Sequence, residues 1–289
     1  MVDPLGLCLL TWVLRDARSY NQVIEFVDLD PSIDGYLQRM NVFQVAGIER
    51  EEHFRRHDRR SSLCEVRRID DRDEVDPVSI DLANTLVGKL FPSYREAKPD
   101  EMTGRAPGDL AIRTIQYALS EIMGNSLSHG RRHGHHTAAA LAAAQHFSKP
   151  DMVAIAVIDD GCGLLGSLEK HPVLTAPTHE AAIQAALQPR VSCNPDVDLR
   201  PDDTANQGFG LTVVREIVRE GNGNFYLATG DKALVSRSKM EICWTIPEWS
   251  GTLLVVELPR RSIDQIRIED AIKRYYDQGN TGDITLNFT

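Results

Sequence analysis

The apolar positions between residues 109 and 127 recur at helical spacing and predict a long buried helix, with Asp109 near its start and Gly130 just past its end. One stripe of that helix is polar. Glu121, Asn125 and His129 follow one another at every fourth residue, and at ~3.6 residues per turn their side chains stack on a single face. Downstream, residues 153–158 are an unbroken apolar run that predicts a buried strand leading into Asp159-Asp160-Gly161-Cys162-Gly163. Residues 180–187 read as a short helix, and residues 210–220 as another that ends at Gly221-Asn222-Gly223. Strand-like runs follow at 224–229, 241–246 and 252–258, the last closed by Pro259.

Ahead of these elements the pattern alternates between helical and extended. Residues 5–17 predict a helix, 22–29 a strand carrying Val23, Ile24, Phe26 and Val27, and 32–43 an amphipathic helix with Ser32 as its N-cap. Residues 65–77 are charged and aperiodic, which suits a linker or an edge segment. Residues 79–90 are helical again, and 91–107, with Pro92, Pro99 and Pro107, read as a loop. Residues 137–147 are alanine-rich and have the strongest helix propensity in the chain. The tail from Ser262 holds an amphipathic helix over 263–276, which could dock on the domain or pair with another chain in a homodimer. Helices interleaved with strands in the first part, and grouped against them in the second, place the chain in the α/β class.

Composition narrows the options. At 289 residues there is room for one large domain or two modest ones, and 42% hydrophobic with 26% charged residues is ordinary for a soluble globular protein. No apolar run approaches the roughly 18–20 residues that span a bilayer, and residues 1–12, with Asp3 and no basic leader, make a poor signal peptide. A net charge of −10 argues against a nucleic-acid coat, and the cluster Arg55-Arg56-His57-Asp58-Arg59-Arg60 sits among acids as a solvated face would. Five cysteines without a Cys-x-x-Cys pair argue against a disulfide framework or zinc knuckle and for a cytoplasmic protein. His133, His135 and His136 lack neighbouring cysteines or paired carboxylates and read as a polar loop; His129 differs, being in phase with Glu121 and Asn125.

A polar stripe on a buried helix has to be satisfied. Hydrated Mg²⁺ with triphosphate oxygens would satisfy it; a capping acid and a hydrogen-bonded amide are the bland alternative. Gly161 and Gly163 let the backbone approach a ligand and take positive φ. Gly208-Phe209-Gly210-Leu211 opens a helix whose first N–H groups suit phosphate. Together the three segments outline a nucleotide pocket.

In this order Glu121, Asn125 and His129, then Asp159 to Gly163, then Gly208 to Leu211, then Gly251-Thr252 resemble the GHKL superfamily of histidine-kinase-like ATP-binding domains, over roughly residues 108–260. The resemblance implies a Bergerat-type two-layer α/β sandwich that binds ATP and Mg²⁺. It implies that Asn125 coordinates Mg²⁺ and that Glu121 orients or deprotonates the attacking water or acceptor hydroxyl. His129 would either contact phosphates or satisfy the helix end. Asp159 would accept the adenine amino group, Gly161 and Gly163 would flank the base, and Thr252 would hold adenine through water. Gly208, Phe209, Gly210 and Leu211 would cradle phosphates, and residues 164–207 would be the ATP lid. The family fold also makes residues 138–147 a strand, against their propensity. Two positions depart from the pattern: Asp160 stands where the family often has asparagine, and Asn206 where it usually has a further glycine, which implies a stiffer or weaker phosphate loop.

The first part is loosely similar to the second half of a STAS domain. Asp3-Pro4-Leu5-Gly6-Leu7 stands where such domains carry Asp-Ser-Ser-Gly, so the phosphorylatable serine is missing. Its first strands are missing too, and the domain is either reduced or borrows structure from a partner. The chain then divides into a smaller STAS-like α/β domain over 1–75, a helix and linker over 76–107, the ATP-binding domain over 108–260 and a C-terminal helix and tail over 261–289. The similarity is closest in style to anti-sigma-factor serine kinases and implies an ATP-dependent signalling switch with a protein partner; phosphate transfer to a partner serine stays open. An ATPase clamp would need a transducer domain, for which the stretch after Pro259 is too short, and a nucleotide-binding module without turnover is the other alternative.

Overall fold

The computed structural model describes residues 2–58, 62–90, 107–128, 131, 134–135, 138–189, 191, 210–237 and 240–259. The loop expected over 91–107 lies outside the described residues as far as 106, as do His129, Gly208, Phe209 and the helix expected over 263–276.

Asp-Pro pairs start the first two helices. Asp3 caps α1 (Pro4–Ser19) by accepting the Gly6 amide at 2.7 Å, and Pro4 occupies the first turn, where no amide is needed. α2 (Pro31–Arg39) repeats the device: Asp30, not the expected Ser32, is the cap, and it accepts the Ser32 amide at 2.8 Å. Asn41, at φ 61°, turns the chain left-handed before α3 (Val42–Val45), so the helix expected over 32–43 is two pieces. The strand expected over 22–29 does not form. Those residues alternate inward and outward as a strand would, but they belong to no ladder.

The remaining elements are β1 (Leu63–Ile69), a 3₁₀ turn (Arg72–Glu74) running into α4 (Val75–Leu90), α5 (Pro107–Ser128), β2 (Ala140–Phe147), β3 (Met152–Asp159), α6 (Gly163–Leu168), α7 (His179–Ala186), α8 (Gly210–Glu220), β4 (Asn224–Arg237) and β5 (Met240–Pro259). Of the segment read as linker or edge over 65–77, only the first part is an edge strand, the rest being the 3₁₀ turn and the start of α4: β1 buries Cys64, Val66 and Ile69 and turns its charged residues outward. Glu74 stabilises the turn that follows by accepting the Asp70 amide at 2.7 Å.

Five strands form one sheet in the order β1-β2-β3-β5-β4, with every neighbouring pair antiparallel. One face carries Ala142, Ile155, Leu254 and Leu227 and packs against α4, α5 and α8. The opposite face carries Leu141, Ala143, Ile158 and Val255 and packs against Leu7, Leu14, Met40 and Phe43 of the N-terminal helices. The two-layer arrangement expected from the sequence is therefore three layers, because α1–α3 cover the second face. Among the described residues, 1–75 hold no sheet of their own; they contribute one helical layer and the edge strand β1. Residues 140–147 are a strand, as the family resemblance implied and their propensity did not. Ladders on both sides satisfy the β2 backbone, and its alanines leave room for α1 on one face and α4 on the other.

The three strands expected after residue 224 are two long ones. β4 and β5 shift register around Gly230, which has φ 55°. Arg237 donates to the Tyr226 hydroxyl at 2.9 Å although the two are eleven residues apart in β4, a separation of roughly 36 Å in a straight strand. The hairpin therefore folds back on itself. Its outer arm rests on the helical layer through Asp231 on His179 of α7 at 2.8 Å and Glu241 on Arg215 of α8. No helix among the described residues is long and apolar enough to cross a membrane.

Candidate functional site

α5 supplies the first wall. Glu121 and Asn125 lie one turn apart on it, Glu121 buried and Asn125 half-buried. Glu121 meets the start of α8: a Cβ on Gly210 would fall 2.7 Å from the Glu121 Cβ and 3.2 Å from the Ala118 carbonyl oxygen. Only glycine lets the N-terminus of α8 come this close to α5. Ser126, the next residue along, donates its hydroxyl to Asp159 Oδ2 at 2.9 Å.

Asp159 ends β3, still paired with Ala140 of β2 but one residue past the last β5 pair at Ile158. Its Oδ1 accepts the Gly161 amide at 3.0 Å and the Thr252 amide at 3.3 Å. Oδ2 accepts from Ser126 alone among the described residues and so keeps capacity for a second donor. Burial pushes the Asp159 carboxyl up to about 6; the bonds from Gly161, Ser126 and Thr252 pull it back, and the neighbouring charge of Asp160 adds to the rise. Asp160 itself turns away and accepts the Ala139 amide at 3.1 Å.

Two glycines make the approach of β5 and α6 possible. A Cβ on Gly251 would lie 2.0 Å from the Asp159 carbonyl oxygen. Gly163, at φ 67°, begins α6, and a Cβ there would lie 2.6 Å from Thr229 Oγ1 and 2.9 Å from the Ser250 carbonyl oxygen. Thr229 ties the corner together: its hydroxyl donates to the Gly251 carbonyl at 2.9 Å and accepts the Leu164 amide at 3.1 Å. Behind the sheet end, Trp249 Nε1 donates to the Asp159 carbonyl at 2.8 Å, with Trp12 of α1 edge-on to its ring.

These elements enclose a cavity of about 70 Å³. Of the residues expected at the site, Asn125, Asp159, Gly163, Leu211 and Thr252 line it. Gly161 does not line it but is hydrogen-bonded to Asp159; Glu121 and Gly210 pack against each other and do not line it either. His129, Gly208 and Phe209 are outside the described residues. The other walls are apolar, from Ile122, Val157, Leu164, Leu168 and Leu254. The segment read as a lid is more ordered than a bare loop where it is described. α6 and α7 bury Leu168, Ala185 and Ala186 in a small cluster, α7 also places Ile183 in the main core, and Thr178 caps α7 by accepting the Ala181 amide.

Sequence reasoning missed Ser126, Thr229 and Trp249. Ser126 had a signal, a hydroxyl directly after Asn125 on a helix otherwise reading as buried. Thr229 and Trp249 had none, because their roles depend on the register shift at Gly230. No family model matches this chain, and neither a curated protein nor a solved structure matches it.

Proposed function

We propose that the cavity binds the purine of ATP, with the phosphates directed along α5 towards Asn125 and the N-terminus of α8, and that the chain is a nucleotide-dependent switch of the histidine-kinase-like superfamily. The observation that carries this reading is convergence: Asn125, Asp159 with Gly163, Leu211 and Thr252 come from four separate segments and line one cavity. The apolar walls suit a flat ring, and Asp159 Oδ2 offers one acceptor at the end of the cavity for an exocyclic amino group. α8 presents its unsatisfied N–H groups next to Glu121.

Mg²⁺ fits the donor set. Among the described residues no cluster of three or more His, Cys, Asp or Glu could hold a metal by protein groups alone. A single amide oxygen from Asn125, completed by water and phosphate oxygens, would suit an ion that keeps several waters and takes few protein oxygens. When bound, the ion would neutralise phosphate charge. Glu121 would take a proton from the attacking hydroxyl or water at its carboxylate. A cavity of about 70 Å³ holds only a few water molecules, so a purine enters by widening it. α6 is the wall that moves, since its Leu168 is buried in a small separate cluster, whereas Ile183 fixes α7 in the main core. That movement would report nucleotide occupancy to a protein partner.

The second reading, a nucleotide-binding module without turnover, differs in one measurable respect. With γ-labelled ATP and Mg²⁺, released phosphate indicates an ATPase, label on an added protein indicates a kinase, and binding alone indicates the module. Glu121→Ala is expected to bind ATP within about threefold of the parent while losing turnover by at least about 100-fold. Unchanged turnover in that variant would remove Glu121 from the chemistry.

A further inference from the structure

Residues 23–29 make no hydrogen bond, from backbone or side chain, to any described residue. Loose packing is not the cause. Ile24, Phe26 and Leu29 rest on the core beneath α1–α3; the Phe26 ring meets Phe43 edge-on at 5.1 Å and lies under the Arg50 guanidinium at 5.2 Å. Between these anchors Val23 and Val27 point outward, 88% and 78% exposed, with Glu25 exposed between them. The stretch thus has the side-chain alternation and the β-branched content of a strand, held in place on one side, with backbone donors and acceptors unspent. Asn21 and Asp28, both left-handed at φ 56° and 52°, delimit it.

We propose that residues 23–27 are a docking edge at which an extended segment of another polypeptide adds a strand, with a lysine or arginine opposite Glu25 and β-branched or aromatic side chains against Val23 and Val27. Charge selects this occupant. Residues 21–30 carry Glu25, Asp28 and Asp30 and no basic residue, and the Arg50 guanidinium beside Phe26 is already paired with Asp34 at 3.0 Å, so a basic strand gains where an acidic one is repelled. A second copy of the chain fits poorly, because antiparallel self-pairing centred on Glu25 sets two carboxylates directly opposite. The inference is independent of the nucleotide reading, since these residues lie on the N-terminal helical layer and none lines the cavity at Asp159.

The probe is a synthetic pentapeptide of alternating threonine and valine with a central lysine, added to the full chain and followed by amide hydrogen exchange. In the chain alone the amides of 23–27 should exchange rapidly at every protein concentration. With peptide, alternate amides should slow by at least about tenfold. A peptide with a central glutamate should bind the parent about threefold more weakly, and Glu25→Lys should reverse that order. An N-methylated peptide, which cannot complete the ladder, should give no protection. Protection by neither peptide, or equal protection by the N-methylated one, would show a hydrated connection and overturn the proposal. Slow exchange in the isolated chain would show this edge already covered, and concentration-dependent protection would show a second copy there; either result also overturns it.

Discussion

The substitution Gly251→Ala is expected to lower stability by about 3 kcal/mol and to abolish nucleotide binding. The new methyl would sit 2.0 Å from the Asp159 carbonyl oxygen and 2.5 Å from its carbonyl carbon. Both are backbone atoms of a central strand, which cannot swing aside as a flexible side chain would. Gly251 does not adopt positive φ, so its requirement is for space alone. Relief demands that β5 move away from β3. That movement would break the Thr252 amide bond to Asp159 Oδ1 and the Thr229 bond to the Gly251 carbonyl. Thermal denaturation should show Tm falling by roughly 5–10 °C. Gly124→Ala is the control, because a Cβ there meets nothing within 4 Å and the residue is inside α5. It should be neutral or stabilising by up to about 1 kcal/mol. Equal behaviour of the two variants would contradict the close approach at the sheet end.

Asp159→Asn should separate stability from binding. The carboxyl has a pKa of about 6 in the folded chain against its ordinary 3.8, with burial the leading cause. A carboxyl that holds its proton more tightly when folded favours folding at low pH. Its contribution is complete below about 3.8 and is lost as pH rises through about 6. The difference corresponds to ~3 kcal/mol. Asparagine keeps an oxygen for the Gly161 and Thr252 amides, while Ser126 can donate to the Ile122 carbonyl, already 3.3 Å away. The variant should therefore gain on the parent between pH 4 and pH 8 by roughly that amount, read as the difference between two urea-denaturation series. At pH 8 it should be at least as stable as the parent and still bind ATP at least about tenfold more weakly, having lost a charged acceptor. A stability difference that does not vary with pH would mean that Asp159 is not buried as described.

Local pattern was legible wherever the partner lay nearby in sequence or the run was unmistakable. α5, β3 and α8 match their expected spans closely, because each repeats one period over many residues. The failures share a cause. Residues 22–29 alternate like a strand, and nothing in that alternation states whether a neighbouring strand exists. The break at Asn41 rests on one left-handed residue within an amphipathic run. Merging the strands expected at 241–246 and 252–258 into β5 depends on pairing with β4 across the shift at Gly230, a property of two strands together. Residues 140–147 are the sharpest case: an intrinsic preference for helix yields to ladders on both flanks. At the site, the polar residues Asn125, Asp159 and Thr252 could be named from motifs. The reason for Gly251 could not, since it is a contact with the backbone of β3.

The most direct test of the nucleotide reading compares ATP with the corresponding 6-oxo purine triphosphate by titration calorimetry in the presence of Mg²⁺. An amino group can donate to Asp159 Oδ2, whereas an oxygen at the same place meets a carboxylate lone pair. The parent should bind ATP at least about tenfold more tightly, and Asp159→Asn, whose oxygen is held by the Gly161 and Thr252 amides so that an NH2 donor replaces Oδ2, should erase or reverse that preference. Equal affinities in the parent, a preference that survives in Asp159→Asn, or no binding of either nucleotide would contradict the placement of a purine against Asp159.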